Sequence, residues 1–490
     1  MRFTSLKELD KSEGTKHVTF ASVCAFTFLT NYGIGGLAPA FYILHLEFDK
    51  TMTETADLLL WPILVLGAFN FFWVPIANYF GKRTVFVFAS LLLCVCYIWG
   101  AVATSFKSLL WSNIIAAFAG SSTEALGAAI VNDLYFLHER GAKMGIYMNA
   151  ISGGNTLGPL ICGFVVQGLG WRWHKWIAVI LTAINFVAVA LFVPETRYIP
   201  DQMANASTPA STSSDMVNEK TMPPGVKIIR RPSDDLIGQV PKKTFVQELS
   251  LWSGTTPETN LFKAFVRPFP LIVYPAVIFS FLCYSISLVI VVAVNILNPF
   301  VLQAPPYSWQ PQINGLINIP GFLGNLVGSY VGGDLVDTFC SWRTRKNMGT
   351  YEPETRIYML VIPFFLTSAG CVLFGYGVER TLSWVALFFG YGLISVALTA
   401  TPTTTMAYVS DCALPVNSDA LLLVNAGLKN IVAFGFLYGI VPWVQKVGYI
   451  QCFGTQAGIF VVIVGIGAVL LIFLGARIRH MTAQWRLILT

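Results

Sequence analysis

Charge is scarce in this chain: only 11% of its 490 residues are Asp, Glu, Lys or Arg, against about 25% in an ordinary soluble domain. So little charge cannot cover a water-facing surface, which excludes a conventional soluble protein. The formal net charge of +6 does not point to a polyanion, because the basic residues sit in short segments between apolar runs; no nucleic acid partner is expected. His17, His45, His138, His174 and His480 are scattered, and neither a nucleophile elbow nor a phosphate-cradling loop occurs, so no enzyme, resident metal or cofactor is expected. The nine cysteines, among them Cys94, Cys96, Cys162, Cys283 and Cys371, lack paired metal-ligand spacing and read as packing residues. Residues 1–16 are polar, with no short apolar stretch before a small-residue cleavage site, so the first apolar span is expected to do the targeting.

What the chain has instead is apolar sequence, 55% of the residues. Runs at 58–72, 85–102, 176–193, 270–297 and 459–474 approach or exceed the roughly 20 residues that cross a bilayer as helix. Polar breaks predict about twelve spans, at 18–43, 54–78, 84–103, 108–133, 142–168, 175–194, 269–297, 311–333, 357–377, 382–409, 418–445 and 455–477. A polar stretch rich in Ser, Thr, Pro and Lys separates the sixth from the seventh and reads as a linker. The expected organisation is a tail at 1–17, a six-helix bundle at 18–194, a linker at 195–268, a second six-helix bundle at 269–477 and a tail at 478–490.

Cations set the orientation. With the amino terminus in the cytoplasm, the inside segments hold Arg2, Lys7, Lys11, Lys16, Lys82, Arg83, Arg140, Lys143, Arg343, Arg345, Lys346, Arg356, Arg477, Arg479 and Arg486. The outside loops keep only Lys50, Lys107, Arg172, Lys175, Arg380 and Lys446. This asymmetry places both termini and the linker in the cytoplasm, and leaves the glycosylation-like triplet Asn205-Ala206-Ser207 on the silent face. Two six-helix halves on a cytoplasmic linker suit a protein that rocks one half against the other around a midplane site.

Polar residues inside apolar helices cost free energy, so they mark candidate sites. Glu124, near mid-depth in the fourth span, needs a polar cavity or a partner, and suits proton carriage, attraction of a cation or a fixed packing bond. Lys429 is the one cation that falls in neither a loop nor a tail on this reading; it shares a helix face with Asn425, four residues earlier. Asn31 and Tyr32 in the first span, Asn295 and Asn298 in the seventh and Asn155 in the fifth complete the candidate substrate and coupling set; Asn314, Asn318 and Asn325 add amides to the eighth. Gly154, Gly158 and Gly163 leave a nearly bare helix face beside Pro159, a close contact where gating can pivot. Phe69, Phe71, Phe72 and Trp73 are expected to face lipid or its interface.

The motifs carry a resemblance over nearly the whole length. The turn at 75–84, with Gly81, Lys82 and Arg83, the fourth-span segment 113–127 and the fifth-span segment 154–163 resemble the major facilitator superfamily. Within it the chain is similar to fungal twelve-span drug:proton antiporters and to their relatives that import organic cations. Segments 133–141 and 351–356, with Asp334 and Asp337 beside Arg343 and Arg345, look like the cytoplasmic turns of that group. The resemblance implies an all-α major facilitator fold, two six-helix bundles around a central cavity. It also implies cytoplasmic charge latches, here Gly81, Lys82, Arg83, Asp133, Glu139, Arg140, Asp334, Asp337, Arg343, Glu354, Arg356, Asp411 and Asp419. The chain departs from the pattern where Asn78 replaces an acid and Asn113 replaces an arginine commonly linked to proton coupling.

The function implied is secondary active transport of a small organic molecule by a monomer in the lipid bilayer of the plasma membrane, with the proton as coupling ion. Efflux of drugs or secondary metabolites is the first reading. Uptake of organic cations such as polyamines is the alternative, and a transporter-like solute sensor a further one.

Overall fold

The computed structural model describes residues 13–135, 140–193, 265–266, 269–305, 307–412 and 418–483. The regular elements among those residues are all helices, without strands. This follows from the solvent: inside a bilayer a single segment satisfies its own backbone only as a helix. Nine segments among the described residues are long and apolar enough to cross a membrane, from Lys16–Glu47 to Tyr449–Thr482. The other three expected spans are helical as well. The fourth, Phe106–Leu134, and the fifth, Arg140–Leu169, carry the polar and glycine residues of the candidate site. The eighth is divided into Pro311–Leu316 and Asn318–Gly332.

Several boundaries differ from expectation. The first span runs as Glu13–Gly35, breaks at Gly36, and resumes through a short 3-10 turn, Ala38–Ala40, into Phe41–Glu47. Adjacent Gly35 and Gly36, with Pro39 following, remove both the side-chain packing and a backbone donor that would carry a helix through. The second span starts on a capping box: the Thr51 side chain accepts from the Glu54 backbone N–H at 3.2 Å while Glu54 accepts from that of Thr51 at 2.9 Å. It continues as Met52–Ala68 and Asn70–Phe80, ending at Gly81, whose φ of 102° favours glycine. After the eighth span an unanticipated helix, Asp334–Lys346, precedes the 3-10 segment Pro353–Leu360 and the ninth span, Val361–Glu379. Its mean composition is polar, with Asp334 and Asp337 in its first turn and Arg343, Arg345 and Lys346 in its last, the arrangement that complements a helix dipole.

Small residues bring the spans together. A Cβ added to Gly154 would lie 2.5 Å from the Phe28 carbonyl oxygen, and one at Gly158 would lie 2.9 Å from Gly36 Cα, so both meet the first span. At Gly163 it would lie 2.6 Å from the Pro311 carbonyl oxygen, against the eighth span. The bare face of the fifth span is therefore two contacts: one inside the first half and one across to the second. The second and eleventh spans meet similarly, a Cβ at Gly67 falling 2.5 Å from Asn430 Cβ. Aromatic residues behind this contact divide: Phe69 and Phe72 are exposed as expected, whereas Phe71 and Trp73 are buried. Phe71 stacks on Phe269 and lies against Gly427, and the Trp73 indole donates to the Phe118 carbonyl at 2.8 Å, contacts that withdraw both from lipid.

Candidate functional site

The fourth span delivers Glu124 to the junction of the halves. Ser121, Ser122 and Thr123 each donate to the carbonyl three residues back in their own helix, at 2.7, 2.9 and 2.8 Å. Their hydroxyls are thereby occupied, and Glu124 is left to reach outward. Its Oε2 accepts from Asn430 Nδ2 at 3.0 Å and pairs with Lys429 Nζ at 3.2 Å, both on the eleventh span, Ser418–Leu437. With side chains 4% and 2% exposed, this is the most deeply buried ion pair among the described residues. The ammonium also donates to the Tyr284 hydroxyl at 2.9 Å and stands 4.2 Å from the centre of that ring. Tyr284, on the seventh span Pro275–Leu302, reaches Met148 Sδ of the fifth at 3.9 Å. A carboxylate, an ammonium, an amide and a phenol thus converge from spans four, seven and eleven, in a setting where both partners depend on each other for charge compensation.

Amides form a second and a third set. In the first half, Asn155 Nδ2 donates to Asn31 Oδ1 at 3.3 Å, and Tyr32 packs beside His174 with ring centres 4.6 Å apart. In the second half, the Tyr391 hydroxyl donates to Asn295 Oδ1 at 3.0 Å, and Asn318 Oδ1 lies 3.4 Å away. Asn31 and Asn295, expected at equivalent places, therefore each serve the interior of their own half. Asn298, Asn314 and Asn325 are buried. Glu139 and the side chains of Asp133, Arg140, Asp419 and Asn425 lie outside the described residues, as do those of Asn78 and most of the linker.

One candidate changes place. Lys175, expected in an outside loop, is fully buried in the sixth span, Trp171–Phe192. Its Nζ donates to the Gly33 carbonyl at 2.7 Å and to Asn113 Oδ1 at 2.8 Å. Lys429 is thus not the single cation within the bundles. The helix begins directly after Gly170, and Trp171, His174, Lys175, Ala178, Thr182, Asn185 and Val189 are its buried residues. That three-and-four spacing is the periodic signal that would have placed Lys175 inside.

Among the described residues the charged turns of the second half form ion pairs within that half. Arg356 bonds Asp337 Oδ1 through Nη1 and Asp411 Oδ2 through Nε, each at 2.7 Å, and the Tyr351 hydroxyl also donates to Asp411. Desolvation pushes the Tyr351 hydroxyl above the ordinary phenol range, Arg356 opposing and Asp411 reinforcing, so it remains a donor. Arg479 and Glu354 pair at 2.9 Å. Among the described residues neither Asp334 nor Arg343 joins an ion pair; Arg343 lies over the Tyr358 ring instead, 4.6 Å from its centre. In the first half, Arg83 is buried and donates to the Ala190 carbonyl at 2.8 Å. Arg356→Gln is expected to lower stability by about 2 kcal/mol, because it strands two partly buried carboxylates. A melting temperature of the purified variant equal to that of the wild type would show that the turn holds without this guanidinium.

The family model described as Major Facilitator Superfamily matches residues 21–420. The chain belongs to the Major Facilitator Superfamily. This facilitator is 23% identical to Protein HOL1 of Saccharomyces cerevisiae, over 95% of its own length and 86% of that protein's. It is 24% identical to the Probable efflux pump mfs2 of Aspergillus flavus, covering 82% and 88%, and 23% identical to the MFS antiporter QDR3 of Candida albicans, covering 82% and 69%. The crystal structure of the human organic anion transporter MFSD10 (TETRAN) superposes with a TM-score of 0.58 at 14% identity, over 92% of this chain and 99% of that one. That likeness establishes the fold, an all-α facilitator architecture.

Proposed function

We propose that this facilitator is a secondary active transporter that moves a small organic molecule by alternating access, with proton-coupled efflux of drugs or secondary metabolites as its reaction. The rocking bodies are residues 18–194 and 269–477, with both termini and the linker cytoplasmic and the plasma membrane as residence. The observation that carries the reading is the Glu124–Lys429 pair, a buried carboxylate in one half whose counter-charge belongs to the other. When the halves part, Glu124 loses its cation, and a proton or a cationic ligand restores neutrality; protonation and domain motion are thereby linked. The names of two relatives, an efflux pump and an antiporter, support export. A second reading, uptake of organic cations such as polyamines, is favoured by the chemistry around Lys429: a carboxylate, a phenol oxygen and an aromatic face already hold one ammonium there.

Proteoliposomes with an imposed pH gradient separate the two. Organic cations, polyamines and neutral amphipathic drugs are screened for flux, with Glu124→Gln as control. Accumulation on the acidic side supports antiport and export; accumulation on the side opposite the excess protons supports symport and uptake. Tight binding without flux for any solute would overturn both in favour of a sensor.

A further inference from the structure

The outer part of the first half holds a buried cation that the transport reading does not use. Lys175 Nζ has two acceptors, the Gly33 carbonyl and Asn113 Oδ1, and both are neutral. No carboxylate pairs with it among the described residues. An ammonium buried without a counter-charge is costly, so its place requires a gain elsewhere. The gain lies in the first span. Gly33 is in the last turn of Glu13–Gly35, immediately before the break, where carbonyls lose their helical donors and favour a cation. Asn113 extends the node, because its Nδ2 donates to the Leu58 carbonyl of the second span at 3.4 Å while its Oδ1 receives Lys175. Spans one, two, four and six therefore meet in one polar knot. Beside the knot, His174 packs on the Tyr32 ring, and Gly36 closes on the imidazole, a Cβ there falling 2.9 Å from His174 Nε2. The peptide that Lys175 holds follows Asn31 and Tyr32 directly.

We infer that Lys175 is a positioning residue: its ammonium fastens the broken end of the first span and so sets where Asn31, bonded to Asn155, and Tyr32, packed on His174, stand inside the first half. In this chain the cation comes from the sixth span, and Asn113 serves as its acceptor. An arginine at position 113 would approach the same carbonyl from the fourth span, which makes the assignment testable by relocating the charge.

The test is hydrogen–deuterium exchange on the purified full-length protein, comparing Lys175→Met, Lys175→Arg and the double variant Lys175→Met with Asn113→Arg. Lys175→Met is expected to speed amide exchange at residues 30–37 by at least about 10-fold, leaving segments around Glu124 and Tyr284 within about 2-fold of wild type. Lys175→Arg is expected to keep the wild-type protection, and the double variant to recover most of it. If Lys175→Met cannot be purified folded, recovery of a folded, protected protein in the double variant supports the assignment by itself. Unchanged exchange at 30–37 in Lys175→Met overturns it. So does a rise spread evenly over the first half, or failure of both cation-bearing variants to restore protection.

Discussion

Glu124→Gln is expected to abolish gradient-driven accumulation when flux is normalised to the amount of protein in the membrane. Glutamine keeps an oxygen to accept from Asn430, so the local shape survives. It removes the charge that compensates Lys429, whose ammonium is buried beside Tyr284. Breaking one member of a buried pair costs about 3 to 5 kcal/mol, because the remaining ion is left without compensation. Thermal unfolding of the purified variant should register that loss. Adding Lys429→Met to Glu124→Gln removes the stranded charge and is expected to recover much of the stability without recovering coupled flux. This divergence separates coupling from folding: wild-type accumulation by the stable double variant would remove the pair from the mechanism.

Gly158→Leu is expected to lower transport by about 10-fold or more, with a matching loss of thermal stability of about 2 kcal/mol. Even the first carbon of the new side chain would lie 2.9 Å from Gly36 Cα and 3.1 Å from the Tyr32 carbonyl oxygen. Those atoms are backbone, and they cannot swing aside as a side-chain tip can. Gly163→Leu makes the contrast, since its clash is with Pro311 and Gly315 of the other half. The first variant strains one half internally; the second wedges the two apart. Turnover measured beside the accessibility of a cysteine introduced at the junction distinguishes them, and equal accessibility in both variants would show that the two contacts act alike.

Helical class, the paired bundles and the apolar spans were legible because the bilayer leaves few alternatives to helix. Glu124 and Lys429 were each legible as buried ions, each recognised by the cost of its charge. Their partnership was not, because 304 residues of rank order separate groups that only tertiary packing brings to 3.2 Å. Lys175 was misplaced for a local reason. The run Trp171-Arg172-Trp173-His174-Lys175 has the composition of an interfacial loop, and only the helical spacing of the residues beyond it shows which side faces inward. The bare face of the fifth span was visible as glycine, yet glycine does not name the neighbour it admits. The charged turns were visible as well; that Arg356 binds two aspartates of its own half depends on the helix Asp334–Lys346, which apolar periodicity could not detect.

The Arg356 cluster draws the end of the tenth span, the helix after the eighth and the entry to the ninth onto one guanidinium. On the proposed alternating-access reading, ties of this kind would pass through a rocking motion unchanged, since none of their members belongs to the other half. Joining three elements of one half, they would stiffen that half without entering the contact between the halves. The cluster is to the second half what a cross-brace is to a lever arm: it bears no load of its own and makes the arm stiff enough to transmit one.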